Sequence, residues 1–175
     1  MTVTQLITTY LQMLSPAQLS PAKESGLSVL PVTVPCPELN RFLYAAVGHR
    51  WYWTDRRAWT YQTWMDYLSK ETIQTWVGYV GGNPAGYVEL EKKADGSVLI
   101  VYFGLLPQFI GQGHGGRLLT VGLEQAWAWG AQRVWVHTNN LDGPVALKNY
   151  QARGLVIYEQ TRAQIRLPDE PLAPW

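Results

Sequence analysis

With 175 residues, 47% of them hydrophobic and only 15% charged, the chain is long enough for one domain with a sizeable core, too short for two ordinary ones, and too apolar to be disordered over most of its length. The charged fraction lies well under the roughly 25% usual for soluble domains, and nine Trp and ten Tyr must find places in a core, a pocket or an interface. A formal net charge of +1 with no block of like charges excludes the electrostatic footprint of a nucleic-acid or anionic-membrane partner, while a small phosphorylated ligand stays open.

Cys36 is alone, so no intrachain disulfide can form, and one cysteine with three scattered histidines gives no zinc spacing; no metal is expected. Residues 1–14 lack a positive n-region and carry Thr and Gln through the apolar stretch, unlike a signal peptide, and no run approaches the ~18 apolar residues of a membrane span. The expected setting is a reducing compartment, most simply the cytoplasm.

In chain order, residues 6–14 fit either alternation or a helical face, and strand is favoured. Prolines at 16, 21, 31, 35 and 37 predict a loop with one short strand around 27–34. Pro37, then Leu39, Phe42, Leu43 and Ala46 at helical spacing, and a stop at Gly48 predict a helix over 37–47, with a second over 60–69. The period then changes. Runs 73–80, 85–92 and 97–105, separated by Gly81-Gly82-Asn83 and Ala94-Asp95-Gly96, predict an antiparallel meander whose third run is apolar enough to be central. A helix over 113–129 closed by Gly130, a strand over 133–138, a short helix over 145–152 closed by Gly154 and a last strand over 155–160 complete the pattern. The tail 168–175, with three prolines, is expected to be irregular.

The stretch LLPQFIGQGHGGRLL, residues 105–119, places glycines at 111, 113, 115 and 116 between a buried strand and a helix. Such residues let backbone N–H groups converge at the positive end of a helix dipole, a natural seat for a diphosphate. For mere flexibility four glycines would be wasteful, each weakening a helix start by ~1 kcal/mol relative to Ala. Gly111, Gly113 and Gly116 spell G-x-G-x-x-G, but the next strand ends His137-Thr138-Asn139-Asn140 where a Rossmann unit places an acid, and the preceding strands are hairpin-linked, so a nicotinamide-dinucleotide reading fails. A Walker loop fails for want of Lys-Ser/Thr after Gly116.

The stretch resembles instead the acyl-CoA signature of the GNAT superfamily of N-acyltransferases, Gln/Arg-x-x-Gly-x-Gly/Ala, matched by Gln108, Gly111 and Gly113. Downstream, Ala146, Tyr150, Gly154 and Leu155 resemble that superfamily's A-x-x-x-Y-x-x-x-G-apolar helix, and the two motifs with the preceding meander cover about residues 73–160. Trp135 to Thr138 with Leu141-Asp142 is similar to the WVHT-x-x-LD segment of RimI-like bacterial members. The resemblance implies one α/β (α+β by some schemes) domain over 1–175: a mixed, mostly antiparallel twisted sheet with helices on both faces and a V-shaped splay between two central parallel strands. Residues 1–70 would supply N-terminal elements and an acceptor wall, and 71–160 the acetyl-CoA-binding core.

The resemblance further implies that acetyl-CoA enters between strands 98–105 and 133–138. Backbone near Phe103, Gly104 and Leu105 would pair with its pantetheine arm or stabilise an oxyanion, and N–H groups from Ile110 through Gly111, Gln112, Gly113, His114 and Gly115 to Gly116 would hold the pyrophosphate. Asn139 or Asn140 would add an amide contact. Tyr150 takes the place of the family's general acid. Some members carry a base glutamate in the strand before the glycine loop, whereas 98–106 contains no acid, so His137, Glu89 and Tyr102 remain as alternative routes for the amine's proton, each with a structural reading beside it.

Seven rings fall within residues 51–67, too many for the core of a helix-loop-helix. Trp51, Trp53, Trp59 and Trp64 are therefore candidates for holding an acceptor by cation-π contact, with Asp55 or Asp66 attracting a cationic amine. The function expected is direct acetyl transfer to a primary amine of a small molecule or peptide, by a monomer or homodimer. The alternative is a non-catalytic acyl-CoA or aromatic-ligand binding module on the same fold.

Overall fold

The computed structural model describes residues 2–169 and Ala173. In chain order the elements are β1 (Thr2–Met13), β2 (Ser28–Pro31), α1 (Pro37–Gly48), α2 (Tyr61–Leu68), β3 (Ile73–Val80), β4 (Asn83–Lys92), β5 (Ser97–Leu105), α3 (His114–Ala128), β6 (Arg133–Asn139), α4 (Ala146–Ala152) and β7 (Val156–Leu167). Short 3-10 turns lie at Pro16–Gln18, His49–Trp51 and Pro107–Phe109. Among the described residues no helix is long and apolar enough to cross a membrane.

Local chemistry sets most boundaries. Pro37 starts α1, and the Thr60 hydroxyl caps α2 by accepting from the Thr63 N–H. The β4–β5 turn is held by Asp95, whose Oδ1 accepts from both the N–H and the hydroxyl of Ser97. The seven strands form one mixed sheet in the order β2-β3-β4-β5-β6-β1-β7, in which only β5 and β6 are parallel neighbours. Both end strands exceed the hydrophobic pattern: β1 starts at Thr2 and β7 runs to Leu167, seven residues beyond the predicted end. Residues 161–167 continue with Ala163, Ile165 and Leu167 alternating against Arg162, Gln164 and Arg166; only Ile165 and Leu167 are half-buried, and the strand is held by its pairing with β1. Of the predicted irregular tail, Glu170 to Leu172, Pro174 and Trp175 lie outside the described residues.

Helices α3 and α4 cover one sheet face, where Leu118, Leu119 and Leu123 pack on Val88, Ile100 and Val136. On the other face Leu43 and Val47 of α1 meet Val77 and Tyr87, with Trp64 of α2 edge-on to Tyr44. The parallel pairing of β5 with β6 runs only from Ser97↔Arg133 to Ile100↔Val136. Beside its end, the register of β4 on β5 jumps from Leu90↔Ile100 to Glu89↔Tyr102, leaving Val101 as the extra residue of a bulge. Beyond this point β5 and β6 part, as expected.

Above the bulge the α1/α2 face carries an ion pair that the sequence did not disclose. Glu89, fully buried, accepts from Arg56 Nη1 at 2.9 Å, from Arg56 Nη2 at 2.8 Å and from the Tyr67 hydroxyl at 2.6 Å. The guanidinium lies 4.3 Å from the Tyr67 ring centre, 4.5 Å from Tyr102, 4.6 Å from Trp59 and 5.6 Å from Trp64. Removing one partner leaves a buried charge uncompensated, which costs about 3–5 kcal/mol, whereas exchanging both for apolar groups does not. Arg56→Met is therefore expected to lose that much in urea denaturation and Arg56→Met/Glu89→Met to regain at least half. A double variant no more stable than the single one would contradict this account.

Candidate active site

Where β5 and β6 diverge, a cleft of about 830 Å³ opens through the sheet. Residues 102–105 remain paired with β4 along one edge, and their other edge, having lost β6, presents free backbone groups to the cleft. Phe103, Gly104 and Leu105 line it, as do Ile110 and Gly111 from the loop that follows. Gly104 also lets α1 close down, since a Cβ there would lie 2.5 Å from a Val47 methyl.

The glycine loop leads into α3 through Gly111 and Gly113, both left-handed at φ 82° and 83°. Gly113 sits at the N-cap and no side chain caps the helix, so the first-turn N–H groups are left for a ligand. Gly115 faces the cleft: a Cβ there would meet Leu105 at 3.6 Å and Asn149 at 3.7 Å. Gly116 lies so close to Arg153 that a Cβ would sit 2.6 Å from its Nη1, while the buried Nε of that guanidinium has no partner. An anion on this loop would thus meet uncapped N–H groups at the positive end of the helix, so the residues fit a diphosphate.

Tyr150 projects from α4 toward Phe103, ring centres 5.9 Å apart, and is 5% exposed. Among the described residues nothing hydrogen-bonds its hydroxyl. Burial, reinforced by Asp142, pushes its pKa far above the ordinary tyrosine value, so the phenol keeps its proton.

The opposite side of the cleft is built on the α1/α2 face. The 3-10 turn after α1 ends at Tyr52, the only described non-glycine residue with a left-handed backbone (φ 57°), and Trp51 and Trp53 on either side of it line the cleft. Trp53 packs on Tyr102 at 4.6 Å between ring centres. Asp55 also lines the cleft, with Oδ1 accepting from the Tyr44 hydroxyl at 2.6 Å and Oδ2 accepting from the Tyr102 hydroxyl. Burial and the Asp55 carboxylate raise both phenols well above their usual range. On β6, the Trp135 indole donates to Ser97 Oγ, and His137, two residues on, faces the same side. Its imidazole, 5.6 Å from the Tyr10 ring, is lowered by burial against the opposing pull of Asp142, and so is neutral at pH 7.

Several expected site residues are elsewhere. Glu89 is locked to Arg56, and Trp59 and Trp64 wall that pair, so none of the three reaches the cleft. The Asn140 amide is spent on β1, accepting from the Ile7 N–H and donating to the Gln5 carbonyl; Asn139 lines the cleft instead. Gln108, Gln112, Gly113 and His114 shape the loop from behind: Gln112 donates to the Gln108 carbonyl, and His114 is buried against Ser25. Asp66 accepts from Gln62 on the outer side of α2. Sequence reasoning missed Tyr44 and Arg56, whose partners lie 11 and 33 residues away.

No curated protein matches the sequence. Among solved structures the chain is similar to a GCN5-related N-acetyltransferase from Sphaerobacter thermophilus (17% identity, TM-score 0.66, 94% of this chain and 53% of that one). It is likewise similar to a GCN5-related N-acetyltransferase from Kribbella flavida (19%, 0.66, 93% and 58%). An aminoglycoside acetyltransferase from an uncultured soil metagenomic sample matches at 14% and 0.62, over 73% of this chain and 87% of that one. The chain thus spans a little over half the length of the first two, and these likenesses show the fold. The sequence model of the Acetyltransferase (GNAT) family matches residues 38–155, from α1 past the glycine loop and the Tyr150 helix. The chain belongs to the acetyltransferase (GNAT) family.

Proposed function

We propose that the protein moves an acetyl group from acetyl-CoA directly to a primary amine of a small molecule or peptide. The observation that carries this reading is the continuity of the free β5 edge with the uncapped start of α3, two backbone surfaces that meet in one cleft. Acetyl-CoA supplies the activated thioester. Backbone at Phe103 to Leu105 pairs with its arm, and the N–H groups of 110–116 hold its pyrophosphate. On the α3/α4 face the Tyr150 hydroxyl, held protonated, delivers a proton to the departing sulfur. Across the sheet the neutral His137 takes the proton of the attacking amine. The RimI-like likeness adds nothing about the acceptor. Its Asp142 accepts from the Thr138 hydroxyl and the Asn139 N–H and thereby shapes the end of β6.

Titration calorimetry with acetyl-CoA, CoA and NAD tests the donor: heat is expected from both CoA species and none from NAD. Gly115→Val, whose Cβ fits the free protein, is expected to weaken CoA binding by pushing methyls into the cleft, and unchanged affinity would remove the phosphates from this loop. Tyr150→Phe is expected to lower kcat by roughly 100-fold or more with CoA affinity kept. CoA binding without turnover on any amine would favour the binding-module reading. Deprotonation of the acceptor ammonium sets one acid limb of kcat/KM, near the amine's own pKa; because burial holds His137 below its ordinary pKa of ~6.5, a second, steeper fall is expected under that value, and His137→Gln should abolish it. A second limb at or above 6.5, or one that survives the substitution, places the proton acceptor elsewhere.

A further inference from the structure

Resting on this reading, we infer that the acceptor carries two cationic amines, one presented to His137 and the other held by Asp55 beside Trp53. His137 stands on the β6 arm of the V, and Asp55, through Tyr102, on the β5 arm. Both lie on the sheet face opposite Tyr150, so an acceptor entering on that side meets the two groups together. Two carboxylates line the cleft among the described residues. Asp142 is tied into the turn after β6, which leaves Asp55 as the one addressed to a ligand.

Two phenol O–H groups, one on each oxygen, fix the orientation of the Asp55 carboxylate on the cleft wall. No cationic side chain of the described residues pairs with it. The nearest in sequence, Arg56, points into the aromatic cage and is consumed by Glu89. Among the described residues Asp55 is therefore a carboxylate on a cleft wall with no cationic partner, and the Trp53 ring, which also lines the cleft, suits an ammonium. That ammonium is not the reacting group. An amine must be neutral to attack, whereas an adjacent carboxylate holds an amine in its charged form. The nitrogen at Asp55 is thus a second one, joined to the reacting nitrogen by a spacer that lies along the apolar wall.

The chemistry at the reacting end balances without Asp55. The reacting ammonium first loses a proton to solvent. Its nitrogen then bonds to the acetyl carbon as the carbon–sulfur bond breaks, passing its next proton to His137 while the sulfur takes one from Tyr150.

The test compares kcat/KM, read by thiol release, for α,ω-diamines of increasing length and the alkyl monoamines of matching length, in the wild type and in Asp55→Asn. Titration of the same amines into CoA-loaded protein gives the comparison without turnover. The wild type is expected to favour a diamine by roughly tenfold or more, as a hydrogen-bonded charge pair supplies. That preference should shrink with added salt and approach unity in Asp55→Asn. Equal use of mono- and diamines by the wild type, or a preference retained in Asp55→Asn, overturns the inference. Absence of any heat from acetyl-CoA overturns the transferase reading, and this inference with it.

Discussion

Arg56 and Glu89 hold the two halves of the cleft in register. Glu89 belongs to β4 and pairs across the ladder with Tyr102, the first β5 residue after the bulge. Arg56 belongs to the segment between α1 and α2, adjacent to Asp55. One buried charge pair therefore ties the point where β5 leaves β6 to the segment that forms the opposite wall. Fully enclosed, it specifies one arrangement strongly, because any alternative exposes or unpairs a charge in a low-dielectric setting. The rings that would otherwise be free to bind a foreign cation are saturated by this one. Of the rings in 51–67, Trp51, Tyr52 and Trp53 line the cleft instead.

In the proposed reading the sheet separates two kinds of recognition. On the proposed donor side the groups are mainly backbone: a strand edge and the amides of a helix start. Such a surface is written in the sequence as glycines at fixed spacing, and it is tolerant of the side chains around it. On the proposed acceptor side the groups are side chains from α1, the following turn, β5 and β6, each placed by packing. In that reading, changes there alter selectivity while leaving the donor cradle intact.

That division also explains what the sequence disclosed. The glycine loop and the Tyr150 helix are local patterns, and alternation sufficed to locate the meander and its boundaries. Alternation also put Glu89 on the face opposite Val88 and Leu90, but it says nothing of what stands there; an arginine 33 residues upstream, in a ring-rich loop, leaves no periodic trace. The same limit applies to Asn140, whose amide partners on β1 lie more than 130 residues away. For β7 the failure is of another kind: the alternation of Ala163, Ile165 and Leu167 among arginines and Gln164 is weak and mostly exposed, and the pairing with β1 is what extends the strand.

The position of β1 governs when the cleft can exist during folding. Its residues pair with β6 from Thr8↔Asn139 to Met13↔Val134 and with β7 from Thr2↔Leu167 to Gln12↔Val156, so the first of these seven strands is seated between the last two. Hairpins β3 to β5 close over short loops, whereas β1 closes over nearly the whole chain and pays the largest loop entropy. The β6 arm, joined to β5 by only four residue pairs, gains its second neighbour at that step. On the ribosome, β1 must wait for nearly all of the remaining sequence. A nascent chain can display the glycine loop and the meander long before it has a two-armed cleft.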